Sequence, residues 1–137
     1  MFVAVTEPAR RYHAVLAGIQ PRDIGVLRTT TCLHLKLWGR GDLEELVVLG
    51  VSELLTNVLL HAATSNCELL MFETESGVVV EVTDGCKALP VIKEPSDGEA
   101  GGRGLYMLSV LASNLEFCPL LAGKCVRLTL DEAERQR

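Results

Sequence analysis

A chain of 137 residues, 48% apolar and 23% charged, is long enough for one domain with a real core and has the composition of a compact globule. A formal net charge of −5, with no run of Lys or Arg, argues against a direct nucleic-acid partner. The longest uncharged stretch, 54–67, is too short and too polar to span a membrane, and no basic region precedes the first apolar residues as in a secretory signal.

Five cysteines without a CxxC pair suit reduced thiols better than a disulfide framework or a zinc site. The expectation is a cytoplasmic protein of one domain, 1–137, with its core at about 11–130.

In chain order, FVAV at 2–5 offers a short edge segment, and 11–18 alternates like a strand ending in a Gly turn. Pro21 and Asp23 open a helical pattern with Ile24, Leu27, Cys32, Leu35 and Leu37 at its apolar positions. Thr29, Thr30 and Thr31 lower its propensity, and Trp38-Gly39 ends it. His13 and His34 stand without ligand partners and read as structural or exposed. Asp42 is placed to cap the next helix, with Glu45 three residues on as the acidic side of a capping box, and the helix runs to about Ala63.

That helix contains the stretch around which the chain is organised. In LVVLGVSELLTNVLLHA, 46–62, Glu53, Asn57 and His61 recur every four residues, and each such step turns only about 40° on an α-helix. The three polar groups therefore form a column amid Leu46, Val47, Val51, Leu54, Leu55, Val58 and Leu59. A carboxylate and an amide in such a setting are costly unless something satisfies them. An ordinary surface Glu–Asn pair is the plain alternative.

Two strand-like runs follow, 66–73 and 77–83, joined as an antiparallel hairpin, with Glu81 between Val80 and Val82 marking a sheet covered on one side. Asp84-Gly85 leads into a loop rich in Pro, Gly and charge that reaches Gly102 and has few residues to anchor it. A third helix starts near Gly104, and 115–120 with 124–130 form a second hairpin around Ala122-Gly123 before a charged tail. Paired strands separated by helices imply a two-layer α/β sandwich: a mixed, mostly antiparallel sheet with helices on one face.

Three pieces of this chain have the residue types for chemistry on a nucleotide. The Asn57 amide oxygen is a hard ligand suited to magnesium, and the Glu53 carboxylate one turn away can take a proton from an attacking hydroxyl or water. Asp84 at a strand end can accept a hydrogen bond from an exocyclic amine, while Gly85 lets a ring approach the backbone. Gly101-Gly102-Arg103-Gly104-Leu105 opens a helix with N–H groups free of Cβ bulk, and Arg103 can fork onto phosphate. A dinucleotide-binding fingerprint would follow a strand directly, which this run does not, and the GxxxxGK[ST] loop is absent.

Taken together and in this order, ELLTNVLLHA, VTDG and GGRGL resemble the GHKL ATP-binding superfamily (Bergerat fold), and within it the small anti-sigma-factor serine/threonine kinases of actinobacterial type. The resemblance extends to Arg28 on the early helix, Trp38-Gly39, Leu89-Pro90, and Gly123, Lys124 and Val126 on the last strand. It implies Glu53 as general base, Asn57 as magnesium ligand, and Asp84 with Gly85 at adenine. It also implies Gly102, Arg103, Gly104 and Leu105 at the phosphates, with Arg103 assisting transfer, a nucleotide lid over 87–101, and His61 bracing the helix end. The pattern departs from the family at Cys86, Lys87 and Ala88, at Cys125, near where relatives carry a Thr that helps fix adenine, and at Arg127, where an aromatic residue is common.

The function implied is an ATP- and magnesium-dependent anti-sigma factor. Such a protein sequesters a sigma factor, phosphorylates a Ser or Thr on an anti-anti-sigma (STAS-type) protein, and commonly forms a homodimer. The alternative is a nucleotide-binding module that sequesters its partner without transferring phosphate. Glu53 favours the enzyme, whereas Cys86 and Cys125 favour the binder.

Overall fold

Strands β1 (Phe2–Glu7), β2 (Arg11–Leu16), β3 (Cys67–Glu73), β4 (Gly77–Asp84), β5 (Asn114–Leu120) and β6 (Gly123–Asp131) form one sheet in the order β1-β2-β3-β4-β6-β5. The computed structural model describes residues 2–7, 10–62, 66–89, 92 and 103–132. Helices α1 (Pro21–Leu37), α2 (Glu44–His61) and α3 (Arg103–Leu111) complete the α/β fold, with α2 packed on β4 and β6 and α1 packed on α2.

Strand alternation decides which face the helices cover. Tyr12, Ala14 and Leu16 of β2, Cys67, Leu69 and Met71 of β3, Val78, Val80 and Val82 of β4, and Val126, Leu128 and Leu130 of β6 are all buried. They share one core with Val47, Val51, Leu54, Leu55 and Val58 of α2 and with Leu105 and Leu108 of α3. The opposite face carries His13, Glu68, Glu81 and Arg127, the last two joined by an Arg127 Nε–Glu81 Oε1 ion pair of 2.8 Å. Gly50 sits where α2 meets the sheet, and a Cβ there would overlap the Leu128 side chain.

Helix α1 holds its three threonines by turning two of them on its own backbone. Thr29 Oγ1 donates to the Gly25 carbonyl at 3.2 Å and Thr30 Oγ1 to the Val26 carbonyl at 2.9 Å, while Asp23 accepts the Gln20 N–H at 2.8 Å at the helix start. His34 packs on the Tyr12 ring at 4.3 Å and on the edge of Trp38 at 5.8 Å, a structural role.

Several expectations change. Among the described residues every strand pairing is antiparallel, where a mixed sheet was expected. The edge segment expected at 2–5 is an edge strand as read, and it extends over 2–7 along the length of β2. Asp42 does not cap α2: fully buried Leu43 draws Gly41–Leu43 into a 3₁₀ turn, and α2 begins at Glu44 without a side-chain cap. The helix also stops at His61, because Ala62 is already extended. In the last hairpin the turn lies at 121–122, and Gly123 belongs to β6 opposite Leu120. Glycine is needed at 123 for a close approach: a Cβ would overlap the Asp84 carbonyl oxygen on the neighbouring strand.

At the end of the sheet away from Asp84, Arg40 ties the α1–α2 connection to the β3–β4 turn. Its Nε meets Glu73 Oε2 at 2.7 Å, its Nη1 meets Glu132 Oε2 at 2.6 Å, and Nη2 donates to the Thr74 and Glu75 carbonyls. Arg10 adds a second guanidinium on Glu73 and donates to the Trp38 carbonyl at 2.7 Å.

Candidate functional site

The site lies where the C-terminal half of α2, the end of β4, the start of α3 and the start of β6 converge. Register places Leu16, Cys67, Asp84 and Lys124 in one transverse row across β2, β3, β4 and β6. All four are buried, and strand alternation directs them to the helix side. Two of these four are ionisable partners, which is uncommon so deep in a sheet.

Asp84 and Lys124 form an ion pair with side chains only 3% and 8% exposed. Lys124 Nζ donates to Asp84 Oδ1 at 3.0 Å and to the Cys86 carbonyl at 3.2 Å, and stands 3.0 Å from Asp84 Oδ2. Asp84 Oδ1 also accepts the Cys86 N–H at 2.7 Å, which turns the chain sharply after β4. The Cys86 thiol reaches the His61 carbonyl at 3.8 Å, so the Asp84 turn is fastened to the end of α2. Cys67, opposite Asp84 in register, has its thiol pushed up to about 12, first by burial and then by the nearby Asp84 charge.

On α2, Glu53 and Asn57 are half-buried and His61 is exposed. The column therefore enters the site through its first two members, while His61, among the described residues, meets it through its backbone carbonyl. Glu53 lies directly against the first turn of α3: a Cβ added at Gly104 would overlap the Glu53 carboxyl group. The glycine thus brings helix-start backbone and carboxylate together. Leu105, next in the run, packs its side chain in the core, so any part it plays at a ligand is through its backbone.

Asn57 Nδ2 is buried and, among the described residues, has no hydrogen-bond partner. Since a half-turn of the amide exchanges its nitrogen and oxygen, the same position can present a carbonyl oxygen to a hard cation. One amide oxygen, with the remaining ligands from phosphate and water, fits the way magnesium is held beside nucleotides. Gly102 and the Arg103 side chain lie outside the described residues, as does most of the stretch expected to form a lid over 87–101.

Two departures noted in the sequence sort differently in space. Cys86 is in the site, through both its N–H and its carbonyl. Cys125 is not: its register partner is Thr83, and its thiol approaches Glu81 at 3.9 Å on the sheet face away from the helices. The residue at Asp84 is its neighbour Lys124, and Arg127 likewise points away, to Glu81. The signal for Lys124 was its parity with the apolar residues Val126, Leu128 and Leu130 of the same strand.

Two links tie these pieces to α2. The Asp84–Lys124–Cys86 cluster is fixed to α2 at its end, and Gly104 is fixed to α2 two turns earlier at Glu53. The family model described as a histidine kinase-like ATPase domain matches residues 25–130, which include Glu53, Asn57, Cys67, Asp84, Gly104 and Lys124. No curated protein and no solved structure gives a significant match.

Proposed function

Because the chain belongs to the histidine kinase-like ATPase domain family, we propose that it is an ATP-dependent anti-sigma factor. In this reading it sequesters a sigma factor and phosphorylates a Ser or Thr on an anti-anti-sigma protein. The observation that carries the enzymatic part is the Glu53 carboxyl held against Gly104 at the opening of α3. The sigma-factor part rests on the motif combination in the sequence, ELLTNVLLHA with VTDG and GGRGL.

The residues divide the work by position. Asp84 receives the adenine amine at the buried end of the cleft, and Gly85 leaves room for the ring. The N–H groups at the start of α3, free of Cβ bulk at Gly104, receive the terminal phosphates, with Arg103 as a cationic partner. Magnesium, when bound with the nucleotide, neutralises phosphate charge, and Asn57 would hold it.

In the transfer, the acceptor hydroxyl oxygen forms a bond to the γ-phosphorus. The bond from that phosphorus to the bridging oxygen breaks, and ADP leaves with the electron pair. Glu53 takes the hydroxyl proton, a step worth about 10²–10⁴-fold in rate for a well-placed base. The rest of the acceleration is positioning and charge stabilisation by fixed groups.

The test is incubation with labelled ATP, magnesium and candidate anti-anti-sigma proteins, with sigma-factor capture measured alongside. The reading predicts label on a Ser or Thr of one antagonist and its loss from Glu53→Gln. Sigma capture without label on its cognate antagonist leaves a sequestering module in place of a kinase.

A further inference from the structure

We propose that Lys124 is a base-reading residue: with Asp84 it recognises the N6–H/N1 edge of adenine directly, ammonium to N1 and carboxylate to N6. The inference rests on the ATP-binding reading above and goes beyond it, because that reading needs only the carboxylate.

The argument is one of unused hydrogen-bonding capacity. Among the described residues, the Lys124 ammonium donates to Asp84 Oδ1 and to the Cys86 carbonyl, which uses two of its three protons. Asp84 Oδ1 is filled by Lys124 and the Cys86 N–H, whereas Oδ2 faces the ammonium at 3.0 Å and accepts no other described group. Among the described residues this leaves one acceptor, Oδ2, and one donor, the third ammonium proton, on atoms 3.0 Å apart. Adenine presents the complementary order, an N6–H donor beside the N1 acceptor.

Burial makes this order selective. With both side chains nearly out of solvent, a base that fails to match leaves a charged group facing a like partner without water to relieve it. Guanine in the same pose would set its O6 against the carboxylate and its N1–H against the ammonium, a mismatch at both positions. Lys124 therefore selects for adenine and against guanine, a discrimination that an acceptor alone makes at only one position.

The pair is also held in place before any ligand arrives. The Cys86 N–H and carbonyl clamp opposite members of the pair, Cys86 is anchored to the His61 carbonyl, and Gly123 lets β6 approach the Asp84 backbone. Such preorganisation is what a specificity contact requires.

The experiment is calorimetry with ATP, GTP and 1-deaza-ATP, in which a C–H replaces N1, on wild type and Lys124→Met. Wild type should bind ATP about 10- to 100-fold more tightly than 1-deaza-ATP, the range for a charge-assisted hydrogen bond. In Lys124→Met the two should bind within about twofold of each other, and the preference for ATP over GTP should shrink. A wild-type ratio near one overturns the proposal without any variant. So does a ratio that persists in Lys124→Met, which would assign N1 to another donor. If Lys124→Met fails to fold by circular dichroism, Asp84→Leu/Lys124→Met removes both buried charges together without adding a donor and takes its place, with the same equal binding expected. Wild type that binds neither nucleotide defeats the ATP reading itself, and this inference with it. ATP binding that ignores N1 defeats the inference alone.

Discussion

Gly104 and Glu53 occupy each other's van der Waals margin: any side chain at 104 would overlap the carboxyl group that stands two turns up α2 from the Asp84 cluster. The contact fixes both the approach of α3 to α2 and the direction in which the carboxylate faces. Gly104→Ala should therefore lower stability by about 1–3 kcal/mol, as overpacking does, and should also reduce phosphate transfer. Glu53→Ala in the same chain should restore much of the stability but none of the transfer. Thermal melts of the four proteins in the cycle check this; additive losses would contradict the contact.

Glu53→Gln preserves shape and most hydrogen bonding while removing proton acceptance. Transfer to the antagonist should fall about 10²–10⁴-fold, and ATP affinity should stay within a few-fold. Asn57→Ala should instead lose magnesium-dependent nucleotide binding together with transfer. Titrating ATP with and without magnesium, beside a transfer assay, separates the two roles.

Cys67 supplies a pH signature. Its thiol titrates at about 12 in the folded chain against 9.0 as its ordinary value, because burial and Asp84 oppose the thiolate. Above pH 9 the unfolded chain gives up this proton and the folded chain keeps it, so the unfolded state binds fewer protons and stability falls as pH rises from about 9 toward 12. Tyr12, also raised by burial, adds to the same trend. Urea titrations at pH 8 and 10 should show the loss, and Cys67→Ala should flatten it. Equal slopes in both proteins would contradict the burial of this thiol.

Arg40 has no part in the chemistry but bridges Glu73, Glu132 and two turn carbonyls at the far end of the sheet. Arg40→Met should leave nucleotide binding unchanged and lower stability by about 1–3 kcal/mol, the range for hydrogen bonds to a charged group. A combined melt and binding measurement checks both halves.

What the sequence disclosed, it disclosed through periodicity. The four-residue spacing of Glu53 and Asn57, the alternation of VVVEVTD and Gly104 ahead of LYMLSVL put these residues on a helix, a strand end and a helix start, and the structure has Glu53 and Asn57 on α2, Asp84 at the end of β4 and Gly104 in the first turn of α3. Parity across strands was harder to see. Cys125, near where relatives carry a Thr that helps fix adenine, falls on the sheet face away from the helices, because a shift of one residue reverses the face, and the residue beside Asp84 is Lys124.

Helix starts were likewise ambiguous. Asp42 has the right side chain for a cap, yet Leu43 gains more by burial and shifts the helix start to Glu44. The Arg40 network could not be read at all, since its partners lie 33 and 92 residues away and charge patterning is silent over such separations.

The central claim is that the Asp84 end of this cleft receives the base of ATP. Calorimetry of wild type and Asp84→Asn with ATP and magnesium, each protein checked for folding by circular dichroism, tests it most directly. The account predicts saturable binding by wild type and affinity weaker by about tenfold or more in Asp84→Asn, the loss of a hydrogen bond to a charged group. No binding by wild type at millimolar ATP and magnesium, or undiminished binding by folded Asp84→Asn, would contradict it.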